Sequence, residues 1–221
     1  MPSSLDLEPG LRFLSALKQN NSRTWFEYNR AEYQAARGIF EDFINDLIDE
    51  FRDADRLLGL SAKECVFRVN RDVRFSKDKS PYKTNLSAII APGGRKNMHQ
   101  GYYISLEPLG LSMVAGGLYM PEPDQLARFR RAIDQDAAVF KQVIQAADFV
   151  EAFGGLEGER LKLAPKGYDP AHAEIELLKL KQITVMRHFS DAEVLAPDFP
   201  ARVIATCRAM RPFLTYIKDI A

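Results

Sequence analysis

The sequence predicts an α+β protein, an antiparallel sheet of about four to five strands flanked by helices from both ends of the chain. Three observations predict it. Before Leu60, apolar side chains recur at three- and four-residue steps, the period of a helix face packed on a core. Between residues 64 and 119 the period drops to two, and the short links between apolar runs favour a meander over crossover units. From Pro121 the helical period returns. The expected organisation is one domain over residues 1–221, with a helical part at 8–60, the sheet at 64–119 and a second helical part at 121–221.

Each element has its own signal. Pro9-Gly10 precedes a short helical pattern of Leu11, Phe13, Leu14 and Leu17, which stops at Asn20-Asn21. Ser22 suits the N-cap of a long second helix, whose stripe is Tyr33, Ala36, Phe40, Phe43, Ile44, Leu47, Ile48 and Phe51. The acidic residues Glu41, Asp42, Asp46, Asp49, Glu50 and Asp53 read as its solvated face. Cys65, Phe67, Val69, Val73 and Phe75 alternate with Arg68, Asn70, Asp72 and Arg74, which predicts a strand with one apolar and one polar face. Arg71 interrupts the apolar face, so it is either a paired inward arginine or the mark of a bulge. Further strands are expected at Leu86–Ala91, Tyr102–Glu107 and Leu111–Tyr119, joined through Pro92-Gly93-Gly94 and Pro108-Leu109-Gly110.

In the last third, Pro121-Glu122-Pro123-Asp124 opens a helix carrying Leu126, Phe129 and Ile133. Asp136 caps a second, which ends at Gly154-Gly155. Asp169-Pro170 predicts a helix over AHAEIELLKLK, and Ile183–Phe189 a short strand. Ser190 and Glu193 stand at capping-box spacing. The final helix, from Pro200, is expected to bend or restart at Pro212.

Composition narrows the class. With 46% hydrophobic and 27% charged residues the chain has the makeup of an ordinary globular protein. Thirty basic residues balance thirty acidic ones, which argues against a general nucleic-acid coat. Cys65 and Cys207 match no metal or redox spacing and suggest a reducing compartment. The start, MPSSLDLEPG, lacks the basic and apolar regions of a secretory signal, and no apolar run has membrane-spanning length. A cytoplasmic location and no membrane partner are therefore expected.

Against that neutral background, the stretch from Phe67 to Asn85 stands apart. Arg68, Arg71, Arg74, Lys77, Lys79 and Lys83 fall within 16 positions against only Asp72 and Asp78, a net charge of +4. Such density is costly to fold unless an anion, a partner or internal carboxylates answer it. On a strand, Arg68, Asn70, Asp72 and Arg74 would stand in a row, with Asp72 orienting the arginines. A cross-strand ladder that only braces the sheet has equal standing. The loop SKDKSPYKTN, with three lysines and Tyr82, favours a bound phosphate, sulfate or carboxylate group over an internal network.

This stretch also carries a resemblance. Arg68, Arg71, Asp72, Arg74, Phe75, Asp78, Lys79, Tyr82 and Lys83 reproduce the pattern RxxRDxRFxxDKxxYK. The chain thereby resembles the bacterial and fungal family called domain of unknown function 2461. Similar blocks are FLSALKQNNSRTWFEYNRAEY, GYYISLEP, GGLYMPEP and LKLAPKGYD, so the resemblance runs from about Leu11 to Leu214. It implies no particular activity.

Other blocks weigh less. Asn20, Asn21, Arg23, Trp25, Phe26 and Tyr28 read first as a capped turn packing aromatics. Lys166, Gly167 and Tyr168 form a turn before a predicted helix start, where free N–H groups favour an anion. His99, His172 and His188 share no ligand spacing, and Asp72 and Asp78 are better matched to their neighbouring cations than to Mg²⁺, so no metal and no cofactor is expected. The sequence therefore points to an anionic small-molecule site made of Arg68, Arg71, Asp72, Arg74, Lys79, Tyr82 and Lys83, with Lys166 and Tyr168 as further candidates. An enzyme acting on a phosphate ester would use Asp72 or Tyr82 for proton transfer. A nucleic-acid-binding module, disfavoured by the zero net charge, and a structural or interaction domain with an internal salt-bridge network are the alternatives. The sequence assigns no oligomeric state.

Overall fold

The computed structural model describes residues 5–97 and 101–220. The first four residues of the start read above lie outside them. In chain order the elements are α1 (Glu8–Gln19), α2 (Arg23–Tyr28), α3 (Arg30–Phe51), α4 (Ala62–Cys65), β1 (Leu86–Ile90), β2 (Tyr102–Leu106), β3 (Ser112–Leu118), α5 (Pro123–Gln135), α6 (Ala138–Ile144), α7 (Ala147–Phe153), α8 (Ile175–Leu178), β4 (Ile183–Phe189), α9 (Asp191–Val194) and α10 (Phe199–Ile220). The strands form one four-stranded antiparallel sheet in the order β1-β2-β3-β4, so the protein is α+β. β1 and β2 run from the pair Leu86↔Leu106 to the pair Ile90↔Tyr102. Tyr103 and Ser105 therefore share one face of β2, and Tyr102, Ile104 and Leu106 the other.

Local chemistry explains most boundaries. α1 begins at Glu8, because Pro9 is tolerated inside a first turn where its missing N–H has no partner to lose. The Ser22 hydroxyl accepts from the Trp25 N–H at 3.3 Å and caps α2. The single long helix predicted from Ser22 is instead two. The Asn29 amide donates to the Trp25 carbonyl at 2.8 Å, closing α2 before α3 begins. α4 replaces the start of the predicted strand at Cys65: the Glu64 carboxylate accepts from the Ser61 N–H at 3.0 Å in a capping box. The helix predicted to run from Asp136 to Gly154 breaks after Ile144 into α6 and α7, although Asp136 does accept from the Ala138 N–H at 2.8 Å. At Ser190 the predicted capping box is present, with Ser190 N–H to Glu193 at 2.8 Å and the reciprocal bond at 3.2 Å. α10 continues through Pro212.

The described chain falls into two compact units. One comprises residues 5–97, 102–114 and 188–204. Its core is the predicted stripe of α3, buried from Tyr33 to Phe51, against Leu11, Phe13, Leu14 and Leu17 of α1 and the fully buried strand β1. Phe13 gathers an aromatic cluster, with ring centres of Trp25, Phe26 and Tyr33 at 5.8, 6.2 and 5.8 Å. The acidic face of α3 is exposed apart from the half-buried Glu41, which Arg37 pairs at 2.8 Å. The other unit comprises residues 101, 115–187 and 205–220. Phe129, Phe140, Phe149 and Phe213 form its core, with Phe140 centred 5.3 Å from Phe129 and 6.3 Å from Phe213.

Gly117 in β3 has φ of 108°, and a Cβ built there would lie 2.2 Å from the Ile183 carbonyl oxygen of the neighbouring strand. Both the backbone conformation and the space exclude a side chain. Gly117→Ala is expected to destabilise by at least about 2 kcal/mol, read as a lower denaturation midpoint in urea at unchanged slope.

Candidate functional site

The basic segment begins where α4 ends. Val66 pairs with Ala88, and the Phe67 N–H donates to Ser87 at 2.9 Å, so residues 66–67 touch the edge of β1. The chain then turns back on itself. Asn70 pairs with Tyr82, the Lys83 N–H donates to Val69 at 2.8 Å, and the Arg71 N–H to Pro81 at 2.9 Å. The continuous strand predicted over Cys65–Phe75 is therefore not formed. Pairing stops at Pro81, which has no N–H to continue a ladder. Phe75, predicted to face the core, is 95% exposed.

Between these paired ends, residues 72–80 make a loop braced by its own charges. Arg71 donates to the Asp78 carboxylate and to the Ser80 carbonyl at 3.2 Å. Asp78 also accepts from the Ser80 N–H at 2.9 Å and hydroxyl at 2.7 Å. The Ser80 hydroxyl, then its N–H, then Arg71 hold the Asp78 carboxyl down to about 2. Asp72 accepts from the Arg74 backbone at 3.2 Å and from its guanidinium at 2.6 Å, a pair within one turn and not the cross-strand row expected of Arg68, Asp72 and Arg74. Lys79 donates to the Val73 carbonyl at 3.0 Å. Arg71, expected to be either a paired inward arginine or the mark of a bulge, is paired on this loop with an exposed carboxylate seven residues on.

A latch binds this hairpin to the N-terminal helices. The Asn21 amide donates to the Tyr82 carbonyl at 2.9 Å and accepts from the Tyr82 N–H at 3.1 Å. The Tyr82 ring stacks on Phe26 with centres 4.0 Å apart and planes 18° off parallel. That stack occupies a face of the ring expected to meet a ligand, and leaves Tyr82 only 6% exposed.

Beside the latch lies an open cleft of about 420 Å³. Its cations are Lys18, Arg71 and Lys83. Asn21, Ser80, Thr84 and Asn85 supply neutral polar groups, and Asp78 and Tyr82 complete the lining. Behind it, Asn85 donates to the Ser105 hydroxyl at 2.9 Å and Thr84 to Glu107 at 3.2 Å, tying the cleft to β2 and the residue after it. Lys83 is half-buried, with its ammonium 5.1 Å from the centre of the Phe67 ring. Among the described residues no carboxylate lies within ion-pair distance of Lys18, Arg68 or Lys83. Burial, and after it the nearby Arg68 guanidinium, push the Lys83 amine below its ordinary range.

Of the residues named from sequence, the structure brings Arg71, Tyr82 and Lys83 to the cleft and Arg68 beside Lys83. Asp72, Arg74 and Lys79 lie on the loop and do not line it. Lys166 and Tyr168 belong to the other unit. The long helix that would have made their turn an anion site is absent there: Asp169 accepts from the Ala171 N–H at 2.8 Å, and α8 is only the four residues from Ile175. Sequence reasoning missed Lys18, Asn21, Thr84 and Asn85. The doubled Asn20-Asn21 held a signal, since Ser22 already caps α2 and a second amide was surplus to that turn. His172 accepts from the Glu174 N–H at 3.0 Å and lies 3.3 Å from Asp134; His99 is outside the described residues. Among the described residues no group of three or more His, Cys, Asp or Glu side chains is placed to hold a metal ion, and no helix is long and apolar enough to cross a membrane.

Fold and cleft together define an α+β protein with a basic cleft built on a latched hairpin. The chain belongs to the family described as conserved hypothetical protein (DUF2461), whose model matches residues 10–216. No curated protein and no solved structure matches it.

Asn21→Ala removes both bonds to the Tyr82 backbone and is expected to destabilise by roughly 1–3 kcal/mol, measured by chemical denaturation. A second test uses acid. The folded Asp78 carboxyl, near 2, lies below its ordinary 3.8, so its contribution is complete above about pH 4 and is lost as pH falls toward 2. The melting temperature of the wild type should therefore fall more steeply between pH 4 and 2 than that of Asp78→Asn.

Proposed function

We propose that this protein binds a small anionic ligand, phosphorylated or carboxylate-bearing, in the cleft beside Asn21 and Tyr82. One observation carries this reading: Lys83 is a half-buried ammonium with Arg68 beside it and no carboxylate to answer it. An uncompensated buried cation is destabilising, and a bound anion offsets that cost. Lys18 supplies a second cation on the same lining, while Asn21, Thr84 and Asn85 supply amide and hydroxyl groups suited to phosphate or carboxylate oxygens. Arg71 and Arg74, already neutralised by Asp78 and Asp72, shape the loop and do not grip the ligand. The ligand-binding cations are thus Lys18, Arg68 and Lys83.

The protein is cytoplasmic in this reading. Cys65 and Cys207 are buried thiols, and burial, with Glu64 beside it, raises Cys65 to about 12, so it stays a protonated thiol suited to a reducing compartment.

Thermal shift at constant ionic strength tests the binding. Inorganic phosphate, sugar phosphates, dicarboxylates and a short oligonucleotide are compared with chloride. An anion at ten times its Kd is expected to raise the wild-type Tm by about 4 °C. Lys83→Met removes the uncompensated charge while keeping an unbranched side chain one atom shorter, so it should melt about 2 °C higher than wild type and no longer respond to the anion. If no anion shifts the wild type, or the shift survives in both Lys83→Met and Lys18→Met, the reading fails. A response confined to the oligonucleotide would replace it with nucleic-acid binding.

A further inference from the structure

We propose that the Lys83 amine is a nucleophile that captures the carbonyl of an anion-bearing aldehyde or ketone as a reversible imine. This rests on the anion reading above and adds a chemical step to it. A lysine amine shifts its pKa readily when it loses water, which is the setting of imine-forming lysines. Here the ammonium lies 5.1 Å from the centre of the Phe67 ring, the Arg68 guanidinium stands nearby, and among the described residues no carboxylate is within ion-pair distance of the amine. Glu107, the carboxylate that follows β2, accepts from Thr84. Asp78, on the cleft lining, is taken by Arg71 and Ser80.

Magnitudes decide the direction. The Phe67 ring attracts the ammonium by only about 0.5–1 kcal/mol at a partly open site. Desolvation and the like charge of Arg68 act the other way, and the amine is held below its ordinary range. A lysine desolvated beside another cation is a recognised route to an activated amine. The remaining cations, Lys18 and Arg68, are then free to hold the anionic group of the same molecule while its carbonyl meets Nζ.

The step balances without an oxidant. The ammonium gives a proton to water in the open cleft, and the Nζ lone pair adds to the carbonyl carbon. The carbinolamine hydroxyl leaves as water when the proton returns. The sum is aldehyde plus Lys83 ammonium giving protonated imine plus one water, with the charge unchanged.

Borohydride trapping provides the test. The full-length protein is treated with a small excess of pyridoxal 5′-phosphate, or with pyridoxal as the probe lacking the phosphate, then reduced and mapped by peptide mass spectrometry. Lys83 is expected to be labelled at least about tenfold faster than the other lysines, because an aldehyde held in the cleft reacts as an intramolecular partner. Inorganic phosphate should suppress that label, and pyridoxal should show much less preference. Labelling spread evenly over the lysines, or absent from Lys83, overturns the proposal. Lys83→Arg keeps the charge and serves as the control for the label: it should melt cooperatively and yield no label at that position. If wild-type protein responds to phosphate but Lys83 is not labelled, the imine step falls and the anion site stands. If neither occurs, both fall.

Discussion

The site depends on the latch between Asn21 and Tyr82. Two backbone bonds from one side-chain amide, and a ring stacked on Phe26, join segments 61 residues apart. Partly buried hydrogen bonds of this kind are worth about 1 kcal/mol each, and an aromatic pair about as much again beyond its burial. The exposed pairs Arg71–Asp78 and Arg74–Asp72 are worth less, since water screens them. The latch therefore sets where the hairpin lies, and the ion pairs set the shape of the loop beyond it. With the hairpin docked, Lys83 stands on the same cleft as Lys18, and the polar side chains of Thr84 and Asn85 reach toward the edge of β2.

The cation cluster divides residue by residue between the loop and the cleft lining. Asp72 and Asp78 each take one arginine, and Lys79 closes the loop on a backbone carbonyl. Local carboxylates are then exhausted. Lys83 and Arg68 remain near one another, one half-buried over an aromatic ring and the other exposed. An arrangement chosen for stability alone would place an acid there, as it does at position 78. Natural chains depart from local consistency mainly where function requires it, and this is the cleft's clearest departure.

How far the sequence could be read follows from how local each feature is. β1 to β4 were legible because short apolar runs and the turn residues that bound them lie within a few positions of one another. The α3 stripe and the Ser190 box were legible for the same reason. The division at Asn29 was not, because a side-chain amide that can cap a helix can equally ride inside one. The strand expected through Arg74 failed because alternation states only which side chains share a face, and not whether a partner strand reaches them. After Phe67 none does, and the chain folds into a hairpin on itself. The helix expected after Asp169 gave way to a carboxylate turn, where Asp169 competes for the backbone.

By itself the sequence determined the α+β class, the order of the helical and sheet regions, and a surplus of positive charge between Arg68 and Lys83. These are sums over neighbours in the chain, and local composition suffices for them. Only the tertiary structure decided which cations are answered and which are not. Pairing depends on which side chains meet across long separations and on how much water each loses on the way. Asn21, not named as a site residue from the sequence, positions the hairpin; Arg71, the most conspicuous residue there, is neutralised within its own loop; and Lys83, one lysine among many, is left half-buried and without an ion pair on the cleft wall.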